Sequence, residues 1–307
     1  MSNTENKGNK ENIEQIIKKK RETLEELNKL KGKNSEFFQV LNELSLILID
    51  IESYEEAEKN FFLCFDFFEK QQDRIGQAAI FGILGTLYLK KKEYQNSIEY
   101  FNKANEIYKE LNQYPEYITC LKGIGNNYIK LNQLEKSSDV FFNCSTICSD
   151  QNDINNFLDC LGNLIFIYET QENWEVVHEL YSKTLKTFKK IKDDKGIIMS
   201  YFNLGILEKR SGDYLSALDF FRRGEEIAKT SNFSKLKVKG LFYIAECYVY
   251  LGKTKDAKEK FIETLYYANK IQAKNIILQI KLLLKSIGFE NQQIEEELEN
   301  YERIKKE

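Results

Sequence analysis

LGTLYLKKKEYQNSIEYF (Leu84–Phe101) decides the fold, because its skeleton returns in five further copies at forty-residue steps. The Tyr88 position falls on Leu48, Tyr128, Tyr168, Glu208 and Tyr248. The Ser97 position falls on Ala57, Ser137, Val177, Ala217 and Ala257, and the Phe101 position on Phe61, Phe141, Tyr181, Phe221 and Phe261. Around this phase, apolar residues recur at three- and four-residue spacing, broken by short polar connectors such as Glu52-Ser53, Asn132-Gln133, Glu172-Asn173 and Gly212-Asp213. That is the pattern of amphipathic helices joined by tight turns, and the two-residue alternation of strands is missing. Each copy therefore reads as an antiparallel helix pair. In the second copy, helix A is predicted over residues 77–91 and helix B over 94–111.

Composition agrees. A single proline in 307 residues, Pro115, suits a chain that is helical almost throughout, since proline inside a helix costs about 3 kcal/mol. A net charge of −3 supplies no basic field for nucleic acid, and a hydrophobic share of 42% is too high for a disordered chain. The opening MSNTENKGNK has no apolar signal core, and no apolar run approaches the roughly 18 residues of a membrane span. A cytoplasmic protein without membrane insertion is expected. The expected order is a disordered leader over residues 1–10, an N-terminal capping helix over 11–34 closed by Gly32, six repeats over 35–273, and C-terminal capping helices over 274–307. The run Lys18-Lys19-Lys20-Arg21 is followed at once by Glu22, Glu25 and Glu26 and reads as a solvated helix face.

The repeated residues resemble the tetratricopeptide repeat. Helix A has a small residue near its middle (Gly85, Gly125, Gly205, Ala245) and an aromatic three positions later; helix B opens with Tyr and continues with a small residue and Phe. The resemblance implies an all-α, right-handed superhelical solenoid of antiparallel helix pairs. The period of forty exceeds the family's commoner thirty-four, and the six additional residues, if all helical, add about 9 Å. Forty-residue units of this kind are similar to those of LGN-type spindle adaptors and Rap-type bacterial peptide receptors, although only one helix precedes the first repeat here. The fourth copy is the least regular: Ile165 replaces Gly, Val177 replaces the small residue, and Trp174 replaces Tyr.

Enzyme signals are poor, and no enzyme and no cofactor are expected. His178 is the only histidine, which leaves no multi-histidine metal site or relay. Gly252-Lys253-Thr254 lacks the earlier glycine of a phosphate loop, with Cys247 in its place, and reads as a turn. Cys144 and Cys148 are one helical turn apart, with Cys120 and Cys160 at equivalent places on the helices either side, so four thiolates could gather. Buried, reduced cysteines filling small core positions are the weightier reading, and no metal is expected.

In the resembled family helix A lines the concave face. Projecting its inward positions onto this chain collects Lys90, Lys122, Asn126, Lys130, Phe166, Phe202, Ile206, Lys209, Arg210 and Phe242 as a candidate peptide-binding groove. Lys122, Asn126 and Asn163 match part of the clamp with which some family members hold an acidic C-terminus, but Met199 and Asn203 stand at its next basic positions. The implied function is a non-enzymatic scaffold or adaptor holding an acidic partner segment with apolar anchors. The alternative is a regulatory sensor whose superhelix responds to a small peptide or metabolite. If the phasing is right, Ala217→Glu places an unpaired charge in a helix interface and costs several kcal/mol, read as a large fall in Tm.

Overall fold

A computed structural model describes residues 2–305, without the side chains of residues 2–11 and 31. Among the described residues there are fifteen α-helices and no strand. They are α1 (Ser2–Lys31), α2 (Ser35–Asp50), α3 (Tyr54–Lys70), α4 (Arg74–Lys90), α5 (Tyr94–Glu110), α6 (Tyr114–Lys130), α7 (Leu134–Asp150) and α8 (Ile154–Thr170). There follow α9 (Trp174–Ile191), α10 (Asp194–Ser211), α11 (Tyr214–Thr230), α12 (Ser234–Tyr250), α13 (Thr254–Lys270), α14 (Lys274–Ser286) and α15 (Asn291–Ile304). Met1 and the side chains through Glu11 lie outside the described residues, and the backbone from Ser2, where a leader is expected, belongs to α1. The chain divides into two compact units, one ending at Ile167 and the other starting at Tyr168.

Helix starts from Tyr54 to Lys274 advance by twenty residues, half the sequence period. The reason is a single turn used over and over. In the α4–α5 connector, the Lys92 N–H donates to the Leu89 carbonyl at 3.0 Å and the Glu93 N–H to the Tyr88 carbonyl at 2.9 Å. Lys92 stands in the left-handed region at φ 63°. This is the Schellman closure, which satisfies carbonyls orphaned at the helix end. The same closure recurs at Gln72-Asp73, Asn112-Gln113, Asn132-Gln133 and Gly252-Lys253. Most connectors are thus three residues long, those flanking α10 are two, and the six additional residues of the period are helical. Helix A of the second copy begins at Arg74, not at residue 77, because the Asp73 carboxylate accepts from the Gly76 N–H at 2.9 Å and caps it.

The repeated residues are the packing surface. Ala57, Ser97, Ser137, Val177, Ala217 and Ala257 are all fully buried. Where serine stands, its hydroxyl donates across the pair: Ser97 to the Gly85 carbonyl at 2.6 Å and Ser137 to the Gly125 carbonyl at 2.8 Å. A Cβ at Gly85 would lie 2.8 Å from the Phe101 ring, one at Gly125 2.7 Å from Phe141, and one at Gly205 2.6 Å from Phe221. The glycine of helix A is the seat of the helix-B phenylalanine.

At the start of the first unit, Ile17, Leu24 and Leu27 of α1 join Phe37, Phe38, Leu41 and Leu44 of α2 in one core. The basic run of α1 does more than face solvent. Lys20 pairs with Glu43 at 2.6 Å, and Arg21 forks onto both Glu56 oxygens at 2.8 and 2.9 Å. In the second unit, Ile280 and Leu284 of α14 and Ile294 and Leu298 of α15 close over Phe261 and Leu265 of α13.

Two substitutions in α4 should move stability in opposite directions. Gly85→Ala presses a methyl into the Phe101 ring and costs about 1–3 kcal/mol, only partly offset by better helix propensity. Gly82→Ala meets nothing within 4 Å and should gain about 1 kcal/mol. Denaturant unfolding of the two variants checks the pair.

Candidate functional site

Three positions of helix A separate packing from surface. Leu44, Leu84, Ile124, Leu164, Leu204 and Ile244 are buried, all apolar and nearly interchangeable. Two residues on, Leu46, Thr86, Asn126, Phe166, Ile206 and Glu246 are exposed or half-buried and share no chemistry. Four further on, Asp50, Lys90, Lys130, Thr170, Arg210 and Tyr250 are exposed without exception and equally varied. Exposure and variation coincide, so the individuality of each copy is displayed here.

The expected groove residues divide by what they touch. Phe166 is 52% exposed, and Asn126 and Lys130 are exposed. Lys90 pairs with Asp50 at 2.9 Å. Lys122 donates to Asn156 at 2.9 Å and forms an ion pair with Asp159. Burial works against its ammonium, but the Asp159 carboxylate outweighs it, and Lys122 titrates above the ordinary lysine value. Lys209 pairs with Glu246 at 3.0 Å. The family's acid-tail clamp is therefore occupied from within at Lys122. Ile206 is half-buried against the Phe202 and Phe221 core, and the half-buried Phe242 ring lies 6.1 Å from that of Phe261.

Phe202 is a correction: it is fully buried and lines no groove. Its ring fills space left by two glycines of neighbouring helices, where a Cβ at Gly224 would lie 2.5 Å away and one at Gly240 3.0 Å away. The equivalent residues in other copies are Asn42, Gly82, Lys122, Gly162 and the half-buried Phe242, so the row does not reveal the fate of this ring.

Each unit has one cleft of interest on these faces. In the first, Ala79, Gly82, Ile83 and Thr86 of α4 face Pro115 and Thr119 of α6 across a mainly apolar cleft of about 380 Å³, with Phe101 and Tyr108 also lining it. The missing side chain at Gly82 keeps it open. In the second, Trp174 and His178 of α9 and Leu207, Glu208 and Arg210 of α10 surround a cleft of about 440 Å³. The Arg210 guanidinium stands 4.7 Å over the Trp174 ring, and His178 Nε2 lies 3.4 Å from Glu208. The sole histidine thus partners the glutamate that replaces the repeat's tyrosine. Neither cleft is signalled by the repeat pattern; the glycine at position 82, outside the repeated row, is the trace the first one leaves in the sequence.

Cysteines also gather. Cys144, Cys148 and Cys160 bring their sulfurs within 4.8 Å of one another, all buried. Cys120, the fourth of the expected set, lies outside this group. Cys144 hydrogen-bonds towards Cys160, which raises the Cys144 pKa and lowers that of Cys160, while burial pushes Cys148 up to about 11.

The sequence profile of the tetratricopeptide repeat matches residues 76–141, from the first turn of α4 to the core phenylalanine of α7. These helix pairs are tetratricopeptide repeats. Outside that segment the same turns and the same phenylalanine seats recur. The chain is 28% identical over 117 residues to the uncharacterized protein ycf37 of Guillardia theta, covering 38% of this chain and 60% of that protein. It is 24% identical over 178 residues to the response regulator aspartate phosphatase I of Bacillus subtilis, covering 56% of this chain and 45% of that one. The match therefore spans roughly half the length of these relatives. Among solved structures, a signal transduction ATPase with a tetratricopeptide repeat sensor from Pyrococcus horikoshii aligns with a TM-score of 0.58 at 15% identity, covering 86% of this chain and 41% of that one. At that identity the likeness is one of fold. No helix among the described residues is long and apolar enough to cross a membrane.

Trp174, the only tryptophan, makes the second cleft optically visible. Arg210→Ala should shift its emission to longer wavelength while costing only about 0.5–1 kcal/mol of stability. Unchanged emission would show that the guanidinium does not cover the ring in solution.

Proposed function

We propose that the helix-A face of the first unit holds a peptide segment of a protein partner, in the manner of a non-enzymatic scaffold, with one apolar side chain entering the cleft above Gly82. The observation that carries this reading is that cleft: it is mainly apolar, lies between two successive A helices, and is open because a glycine stands where Lys122 and Phe202 stand elsewhere. Thr86 lines it, while Asn126 and Lys130 lie exposed on α6, where varied polar groups can fix the register of a bound segment. Anchoring by a single buried side chain within a polar surround is how such interfaces concentrate their energy.

The expected acidic character of the partner has less support. Lys90, Lys122 and Lys209 already face carboxylates, so an acidic ligand would have to displace Asp50, Asp159 or Glu246 to reach them. Apolar anchoring carries the reading, with charge limited to steering.

Gly82→Leu tests it with little risk to the fold, because its Cβ meets no atom within 4 Å, the rest of the side chain projects into the cleft it is meant to fill, and leucine favours the helix. Peptides selected from a displayed random library on the full chain should share a large apolar residue. They should bind Gly82→Leu about tenfold more weakly or worse, a difference of about 1.4 kcal/mol. Equal affinity for both proteins would remove the cleft from the interface.

A further inference from the structure

We propose that Cys144, Cys148 and Cys160 form a three-coordinate site for a soft monovalent metal ion of the Cu(I) class. α7 supplies two thiols one turn apart and α8 the third, so helices carry every ligand and no loop has to order. The sulfurs lie within 4.8 Å of one another and all three residues are fully buried. Thiolates about 2.3 Å from an ion at the centre of a trigonal plane stand about 4 Å apart. Closure needs a contraction of under about 1 Å, within reach of small side-chain rotations.

Ligand number selects the ion. Among the described residues no histidine, carboxylate or fourth cysteine completes the group, and full burial keeps solvent from a fourth position. Closed zinc sites take four ligands, and iron–sulfur clusters take four cysteines. A soft ion satisfied by three thiolates is the remaining match, and Cu(I) has that preference. A complex of three thiolates with a monovalent ion is anionic. The Lys122 ammonium bears electrostatically on Cys160 and Cys144 and shares its charge between them and Asp159. Binding is proton exchange without electron transfer: S–H bonds break, S–Cu bonds form, and the protons pass to solvent. The ion would tie α7 to α8 beside their turn, where the Asp153 N–H donates to the Cys148 carbonyl at 2.8 Å.

The test titrates the reduced full chain anaerobically with Cu(I) against bicinchoninate. One equivalent should bind, with an ultraviolet thiolate-to-Cu(I) charge-transfer band and a raised Tm. Cys160→Ser and Cys148→Ala should each weaken binding by about two orders of magnitude, the scale of one lost metal–thiolate bond. Cys120→Ser should bind like the wild type. Circular dichroism and melting of the metal-free variants establish that they fold, and if Cys160→Ser does not, Cys148→Ala carries the comparison. Binding that survives both losses, a substoichiometric endpoint, or equal weakening in Cys120→Ser would overturn the site. A tetrahedral spectrum on loading with Co(II) would reveal a recruited fourth ligand and overturn the three-coordinate assignment.

Discussion

Phe101 reaches from α5 onto two helix backbones at once, and a Cβ at Gly85 of α4 or at Gly123 of α6 would come within 2.8 Å of its ring. So close an approach demands that consecutive helices keep one length and one register. The turns enforce this. Each left-handed residue ends a helix, and the next residue both closes that helix and opens the following one: the Glu93 N–H donates back to Tyr88 while its carbonyl accepts from Ser97 at 3.0 Å. Among the described residues ten that are not glycine hold positive φ, a conformation that costs roughly 1–2 kcal/mol for most side chains. Closing the helix carbonyls and seating the phenylalanines outweighs that cost.

This constraint explains what was legible in the sequence. A forty-residue period, helix pairing, the buried small residues and the phenylalanine row all follow from contacts that must be the same in every copy. Gly32 and Gly288 end their helices with φ of 68° and 94°, as glycines after the last turn should. What could not be read depends on residues outside the shared row. Phe202 turns inward because Gly224 and Gly240 happen to leave room, and neither belongs to the repeated code. The lysines of helix A find carboxylates about one repeat away, at Asp159 for Lys122 and Glu246 for Lys209. Row position predicts which face a side chain occupies, but not whether the neighbouring copy already answers its charge.

The same separation bears on function. Positions that seat a ring are held to small residues or to an aromatic in nearly every copy, whereas the exposed helix-A residues and the hollow at Gly82 are free to differ. Gly82 and Gly85 show the difference three residues apart: one glycine is required by a ring, the other faces open space. Only the second can contribute a cleft, since a glycine already covered by Phe101 has nothing left to offer a ligand.

Departures from the code gather in and beside the fourth copy. Ile165 stands where three other copies have glycine and the remaining two serine or alanine, and Tyr181 where the others have phenylalanine, its hydroxyl bonding Glu169 at 3.0 Å. The division between the compact units falls within this copy, after Ile167. Trp174, His178 and Cys160 all belong to it as well. Buried sulfur is not confined to this copy, since Cys64, Cys120, Cys144, Cys148 and Cys247 lie in copies that keep the phenylalanine. What sets the fourth copy apart is its surface, where an aromatic pairs with a cation at Trp174 and Arg210 and His178 faces Glu208. The irregular copy is therefore the place where the chain relaxes its own packing rule: without the glycine seat, Ile165 fills the space from helix A, and the Tyr181 hydroxyl finds Glu169 at the pair's edge.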